Sequence, residues 1–298
     1  MSKKTILLGC SGFFGPVILE RYPNIIAVGR RKPPSYIKNR FIKITTTKKL
    51  KKLDKIDFDK VIFLIGNSDH HYLNSRDVKI ALEHNFISFL DSMEYFQSRK
   101  LKTIITFSGG LIYNQKKLQI PVTEKCLING FQNNYIFSKY LLENSAKFFS
   151  KQTNIINVRL SNIYGPSLLK RPDLIQEIMH KVLIKKKKKI CVKSMKPKRD
   201  FIYTADAADA VIKLLNLNYS GNINLGSGEL NSVYRVCSII SKLTGVKIED
   251  KKEKVSGPMK FVYDINFLKK MINWKPKFSL EDGLKNTILK INEYKKSS

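Results

Sequence analysis

Along the first half of the chain, apolar runs of strand length alternate with longer segments whose apolar residues recur every three or four positions. That alternation predicts a parallel sheet covered by helices on both faces. Residues 5–8, 25–28, 41–44, 61–65, 103–107 and 155–158 read as strands, and 14–21, 77–97 and 135–150 as helices. Pro16 falls in the first turn of the earliest helix, where a missing N–H costs nothing. Beyond about residue 165 the rhythm loosens into short apolar runs at 190–192, 201–203 and 223–225, mixed with helices. The expected fold is α/β: a Rossmann-like, doubly wound parallel sheet with a smaller C-terminal substrate-binding lobe. The approximate division is residues 1–165 for dinucleotide binding and 166–298 mainly for substrate, with the two interleaved because no repeat or low-complexity linker separates them.

Composition changes this picture little. A chain of 298 residues, 43% of them hydrophobic, can bury a large core without disulfides, and its four cysteines show no C-x-x-C spacing. With no signal-like apolar run near Met1 and no window approaching the roughly 20 apolar residues of a membrane span, a reducing cytoplasm is the expected setting. The net charge of +31 raises the question of nucleic acid. Only ten of the 55 basic residues are arginine, the lysines are spread along the whole chain, and zinc-ligand and aromatic RNA-binding patterns are missing. A nucleic-acid partner is therefore not expected, nor is a metal. The lysine run at 185–189 reads as a turn or exposed edge leading into a strand.

Two local patterns carry chemistry. Gly9-Cys10-Ser11-Gly12-Phe13-Phe14-Gly15 follows the first strand and opens the first helix, the context in which glycines and a helix N-terminus cradle a pyrophosphate. Ser11, Phe13 and Phe14 join the three glycines as candidate cofactor contacts. At the end of the second strand, where an acid would hold an adenosine ribose, the chain reads Gly29-Arg30-Arg31-Lys32. A guanidinium pairs with a 2′-phosphate, so Arg30 and Arg31 predict NADP(H) in preference to NAD(H). About 120 residues after the loop, Tyr135 and Lys139 stand four apart on one helix face. A neighbouring ammonium favours the phenolate, which suits the tyrosine to proton exchange near neutrality.

These motifs continue, in order, through Arg159-Leu160-Ser161-Asn162-Ile163-Tyr164-Gly165-Pro166, Arg199-Asp200-Phe201-Ile202-Tyr203, Asn224-Leu225-Gly226-Ser227-Gly228 and a tail around Asp264, Trp274 and Gly283. Over nearly its whole length the chain resembles the extended short-chain dehydrogenase/reductase family, in its nucleotide-sugar epimerase, dehydratase and reductase branch. The resemblance implies that Lys139 binds the nicotinamide ribose, that Tyr135 exchanges the proton at the sugar, and that Asn162 and Arg199 contact the nucleotide diphosphate. It also implies a homodimer built on the helices at 77–97 and 135–150. The family places a catalytic Ser or Thr four residues before a Tyr-Gly ending, but here that position is Gly109, so Ser108 is the candidate, with Thr106 or a water as alternatives.

Among reactions, the dehydratases' Asp-Glu pair is replaced by Gly110 and Leu111, and the cysteine of the bifunctional epimerase-reductases is missing from that loop. A 4-ketosugar reductase and a sugar 4-epimerase remain, and Arg30 and Arg31 lean the expectation toward the reductase. A reading from another class is an NADP(H)-binding regulator without turnover, which the intact Tyr135 and Lys139 oppose.

Overall fold

The computed structural model describes residues 3–67, 75–255 and 257–296. Its contacts divide the chain into two compact units, one of Met1–Lys117, Glu124–Arg159 and Ala210–Ile223, the other of Leu118–Thr123, Leu160–Asp209 and Asn224–Ser298.

The first unit is organised by a seven-stranded sheet. Strands β1 (Lys4–Leu8), β2 (Ile26–Gly29), β3 (Phe41–Lys43), β4 (Phe58–Phe63), β5 (Thr103–Gly109) and β6 (Asn154–Leu160) are joined by the strand Gly221–Leu225, which follows β6 at the far edge. From the opposite edge the order is β3, β2, β1, β4, β5, β6, so the winding reverses between β1 and β4. That reversal is where a doubly wound sheet opens a crevice at the carboxyl ends of its strands. β1 pairs in parallel with β2 on one side and β4 on the other, and Ile6, Leu7 and Leu8 are almost wholly buried. Burial on both faces explains why the strands read as apolar runs with no alternation.

α1 (Gly15–Arg21) follows the glycine loop, and α2 (Ser75–Leu82) and α3 (Ser88–Phe96) occupy the segment expected to be one helix. Between those two the backbone widens into a π turn, Glu83–Ile87, around the buried side chain of Asn85. α4 (Asn134–Phe149) starts where the Asn133 side chain accepts a hydrogen bond from the Ile136 amide at 2.9 Å. Phe89, Met93 and Phe96 of α3 and Leu142 and Ala146 of α4 pack with Ile6, Leu8, Val61, Phe63 and Ile104 of the sheet in one cluster. Phe89 meets Phe63 edge-on at 5.6 Å, and burying a side chain of that size contributes about 2–3 kcal/mol.

The second unit has a separate core, in which Tyr164, Ile178, Val236, Ile240, Leu284 and Ile291 take part. Its strands are short: Asn162–Tyr164 runs parallel to Phe201–Tyr203, and Lys189–Val192 parallel to Lys247–Asp250. The lysine run does lead into a strand, which begins at Lys189; Lys186, at φ 50°, turns the chain just before it. Gly283 allows the helix Leu280–Lys296 to approach Tyr164, because a Cβ there would lie 2.1 Å from the phenol oxygen. Asp206 accepts the amides of Lys277 and Phe278, both at 3.0 Å, and so fixes the chain ahead of that helix.

Candidate active site

The glycine loop is shaped by close approaches. Gly9 has φ +88°, and a Cβ on it would lie 2.7 Å from the Leu64 carbonyl carbon, so the loop leaving β1 rests on the chain leaving β4. A Cβ on Gly15 would lie 2.5 Å from the Cys10 carbonyl oxygen, so that glycine permits tight packing of loop on helix. Gly12 differs: its nearest such neighbour is 3.6 Å away and the residue is exposed, leaving a bare backbone facing solvent. This division of roles among the three glycines fits a pyrophosphate cradle.

Phe13 and Phe14 are buried, Phe14 edge-on to Phe107 at 6.0 Å, so any cofactor contact they make falls to their backbone. Ser11 is half-buried. The Cys10 thiol points to the Arg31 carbonyl at 3.6 Å, linking the loop to the turn after β2, where Arg30 and Arg31 are both exposed. Burial pushes the Cys10 thiol up to about 11, which keeps it protonated at neutral pH.

Tyr135, Lys139 and Glu143 follow one another at four-residue spacing along α4. Tyr135 is half-buried, whereas Lys139 and Glu143 are buried. The Lys139 ammonium lies 5.8 Å from the Tyr135 ring centre. Desolvation lowers the lysine to about 8, opposed in part by the negative Glu143. On its far side is Gly66, where a Cβ would lie 3.3 Å from the Lys139 nitrogen and 2.7 Å from the Asn85 side-chain oxygen. Asn85 accepts from the Asn67 amide at 2.8 Å, donates to the Asn67 carbonyl at 3.0 Å, and donates to the Ser138 hydroxyl at 2.9 Å. It thereby braces the segment after β4 against α4.

Behind the tyrosine and lysine lies a buried polar network. Arg159 of β6 grips Glu143 through two hydrogen bonds, Nε to Oε1 at 3.1 Å and Nη2 to Oε2 at 2.7 Å, and donates to the Tyr113 hydroxyl at 2.9 Å. Ser108, near the end of β5, donates to Glu143 at 2.5 Å and accepts from Asn157 at 3.2 Å. Its hydroxyl is thus engaged from within the fold, with 5% of the residue exposed. Thr106 is fully buried and donates to Asn157 at 3.1 Å. Gly109 has φ −159°, ordinary extended backbone.

In the second unit, Asn162 is exposed and its amide donates to the Asp200 carbonyl at 3.0 Å. Arg199 is half-buried, donates to the Lys198 carbonyl at 3.0 Å, and is lowered in pKa by burial. Asp200 between them is wholly buried and accepts from the Ser227 amide and hydroxyl, the Gly228 and Tyr263 amides and the Ser161 hydroxyl. Gly226 must be glycine, since a Cβ would lie 2.3 Å from an Asp200 oxygen. One carboxylate thereby ties together three of the motifs noted along the sequence.

Asn85, Glu143 and the partners of Arg159 and Asp200 escape sequence reasoning. Glu143 had a usable signal, because it extends the four-residue spacing of Tyr135 and Lys139 by one step. Asn85 had no such signal, because it follows Glu83 and His84 as one more polar residue of a helical stretch.

A glycine loop at the winding reversal and a tyrosine-lysine helix beside it define a dinucleotide-dependent enzyme of the extended short-chain dehydrogenase/reductase type. The chain belongs to the NAD dependent epimerase/dehydratase family, whose model matches residues 5–226. Among its relatives, a Methanocaldococcus jannaschii protein that bears a provisional UDP-glucose 4-epimerase name is 28% identical over 207 residues, covering 68% of this chain and 66% of that one. The chain thus spans just under two thirds of that relative. A Bacillus subtilis protein named as an uncharacterized UDP-glucose epimerase is 24% identical over 297 residues, covering 96% and 90% of the two chains. The fold is also that of the UDP-glucose-4-epimerase from Stenotrophomonas maltophila solved with NAD and a formylated UDP-arabinopyranose, at a TM-score of 0.86, 15% identity and full coverage of both chains. Among the described residues, no helix is long and apolar enough to cross a membrane.

Proposed function

We propose that the chain transfers hydride at C4 of a nucleotide-diphosphate sugar, with Tyr135 as proton acceptor and donor, and that it works as a 4-epimerase. The observation that carries this reading is the convergence on residues 64–66. Gly9 of the loop packs against Leu64 and Ile65, and the Lys139 ammonium lies against Gly66, so loop and acid-base helix meet along one stretch of backbone. A nicotinamide dinucleotide held by the loop supplies the hydride acceptor and donor when bound. Tyr135 takes the C4 hydroxyl proton and returns it, and the buried ammonium of Lys139 stabilises the phenolate in between. Asn162 and Arg199 are the proposed diphosphate contacts, and the epimerase names of the two relatives, one of them a 4-epimerase, favour a redox-neutral outcome.

A second reading, reduction of a 4-ketosugar with NADPH, is favoured by the exposed Arg30 and Arg31 where NAD selectivity calls for an acid. Both readings are tested by incubating the protein with UDP-, GDP- and dTDP-hexoses and with 4-keto-6-deoxy sugars while following product stereochemistry and NADPH oxidation. Interconversion of C4 epimers without net oxidation supports the epimerase, and stoichiometric NADPH loss supports the reductase. Replacing Tyr135 with Phe should lower kcat by about 10²–10⁴ in either case. Activity that survives this change removes Tyr135 from its role. Pairing with a second copy is supported by Ile80, Ile87 and Phe148, apolar residues left exposed on α2 to α4; light scattering should return twice the 34.4 kDa chain mass.

A further inference from the structure

The glycine loop sits at the carboxyl ends of the central strands, and the amino ends of the same strands are cationic. Lys3 just ahead of β1, Lys60 in β4 and Lys102 just ahead of β5 belong to three strands that lie side by side. Their lysines are therefore carried across strands roughly 4.8 Å apart. With Arg99 and Lys100 from the chain after α3, they line a cavity of about 750 Å³, a volume that holds a small organic ligand. All of these residues belong to the first unit. β4 is six residues long, so the cavity lies one strand length, roughly 20 Å, from the backbone where Gly9 and Lys139 meet.

The cations are held in place by their surroundings. The Arg99 guanidinium donates to the Ile56 carbonyl at 2.7 Å, lies 4.9 Å from the Phe58 ring centre and pairs with Asp54 at 3.7 Å. The Lys60 ammonium donates to the Asn216 side-chain oxygen at 2.7 Å. Lys3 pairs with Asp57 at 3.5 Å and Lys102 with Asp59 at 3.6 Å. Asp59 is the one acid in the cavity wall, and its side chain is 6% exposed. Lys100 is exposed and stands in none of the ion pairs among the described residues. Five cations against these three acids leave a surplus of two positive charges.

We propose that this cavity is a binding site for a compact oligophosphate chain, separate from the dinucleotide and sugar sites. A guanidinium fork and ammonium point charges are the donors that phosphate oxygens take. A single phosphate reaches only part of a row spread over three strands, whereas a chain of two or three spans it. The concave wall suits such a compact anion better than the convex backbone of a nucleic-acid duplex. A smaller cavity of about 210 Å³ also has Lys60 in its wall, with Tyr22, Ile25, Ile212 and Leu215 as apolar neighbours, so a base attached to the phosphates has a surface to pack on.

Isothermal titration calorimetry on the whole protein tests this, with inorganic triphosphate as the ligand and with or without saturating NAD. One site per chain is expected, indifferent to NAD and at least about tenfold tighter for triphosphate than for inorganic phosphate. Lys100→Glu, a change at an exposed and unpaired residue, should weaken binding about tenfold. Lys185→Glu alters the net charge equally, at a residue of the exposed lysine run, and should stay within about twofold of the wild type. Repeating the titration with ATP identifies the source of the phosphates: tighter binding than triphosphate adds the base to the site, equal binding leaves the phosphate chain alone, and both support the proposal. Absence of binding overturns it. Displacement by NAD, which would place the anion at the glycine loop, does so too, as do equal losses in the two variants, which would reduce the effect to diffuse attraction by a basic surface. A single-stranded oligonucleotide that displaces triphosphate and binds more tightly would make this face a nucleic-acid surface instead, and would likewise overturn it.

Discussion

The two units each bury a carboxylate, and they stabilise it by opposite means. In the first, Glu143 is neutralised by Arg159, with 4% and 3% of the side chains exposed. In the second, Asp200 stands in none of the ion pairs among the described residues and is held by three backbone amides and two serine hydroxyls. An ion pair joins two points, here α4 and β6. A carboxylate ringed by donors joins many, here the chain at Ser161, at Ser227–Gly228 and at Tyr263. Burial pushes the Asp200 carboxyl up, and the donors around it oppose that shift.

Breaking the ion pair should have the largest effect. Arg159→Met leaves Glu143 buried without its cation and should cost about 3–5 kcal/mol in urea unfolding. A loss below about 1 kcal/mol would show that the pair contributes little beyond its shape. Lys139→Met should move the other way, raising stability at pH 7 by up to about 3 kcal/mol while lowering activity sharply. The sign follows from a folded-state value near 8, below the 10.5 of a free lysine: between these limits the unfolded chain binds more protons. The stability cost of the lysine is thus full below pH 8 and disappears as pH rises toward 10.5, so the variant's advantage should vanish over that window.

Asp200→Asn keeps the shape but places an amide nitrogen among donors, and should cost about 1–3 kcal/mol. Because the raised carboxyl binds its proton more tightly when folded, stability due to Asp200 should decline as pH rises above the free value of 3.8. The wild type should therefore lose ground to Asp200→Asn over that rise. The smallest effect concerns Cys10, whose thiol should resist alkylation by iodoacetamide at pH 8 in the folded protein and react once unfolded.

Much of the fold was legible in the residues. The six apolar runs of the first half all became strands, shifted by at most a few residues, because a parallel sheet buried on both faces writes itself as continuous hydrophobicity. The roles of Gly9 and Gly15 could be anticipated from a glycine loop between strand and helix. The helix expected at 77–97 is helical throughout Ser75–Phe96 but widens into a π turn at Glu83–Ile87, where the buried Asn85 amide reaches the Asn67 backbone. Phe13 and Phe14 joined the candidate cofactor contacts by position in the motif, yet their side chains belong to the core. Ser108 was a candidate for its hydroxyl, and the sequence is silent on where the hydrogen goes.

The order of motifs along the chain by itself determined the family and picked out the glycine loop and the Tyr135/Lys139 pair as candidates, because each depends on neighbours within a few residues or on one helix face. The tertiary structure alone decided what stands behind that pair. Glu143, Arg159, Asn157 and Ser108 come from one helix and two strands that are up to 51 residues apart in the chain and meet only when the sheet closes. The direction of a hydroxyl hydrogen is set by the donors and acceptors around it in space, and those have no signature along the sequence.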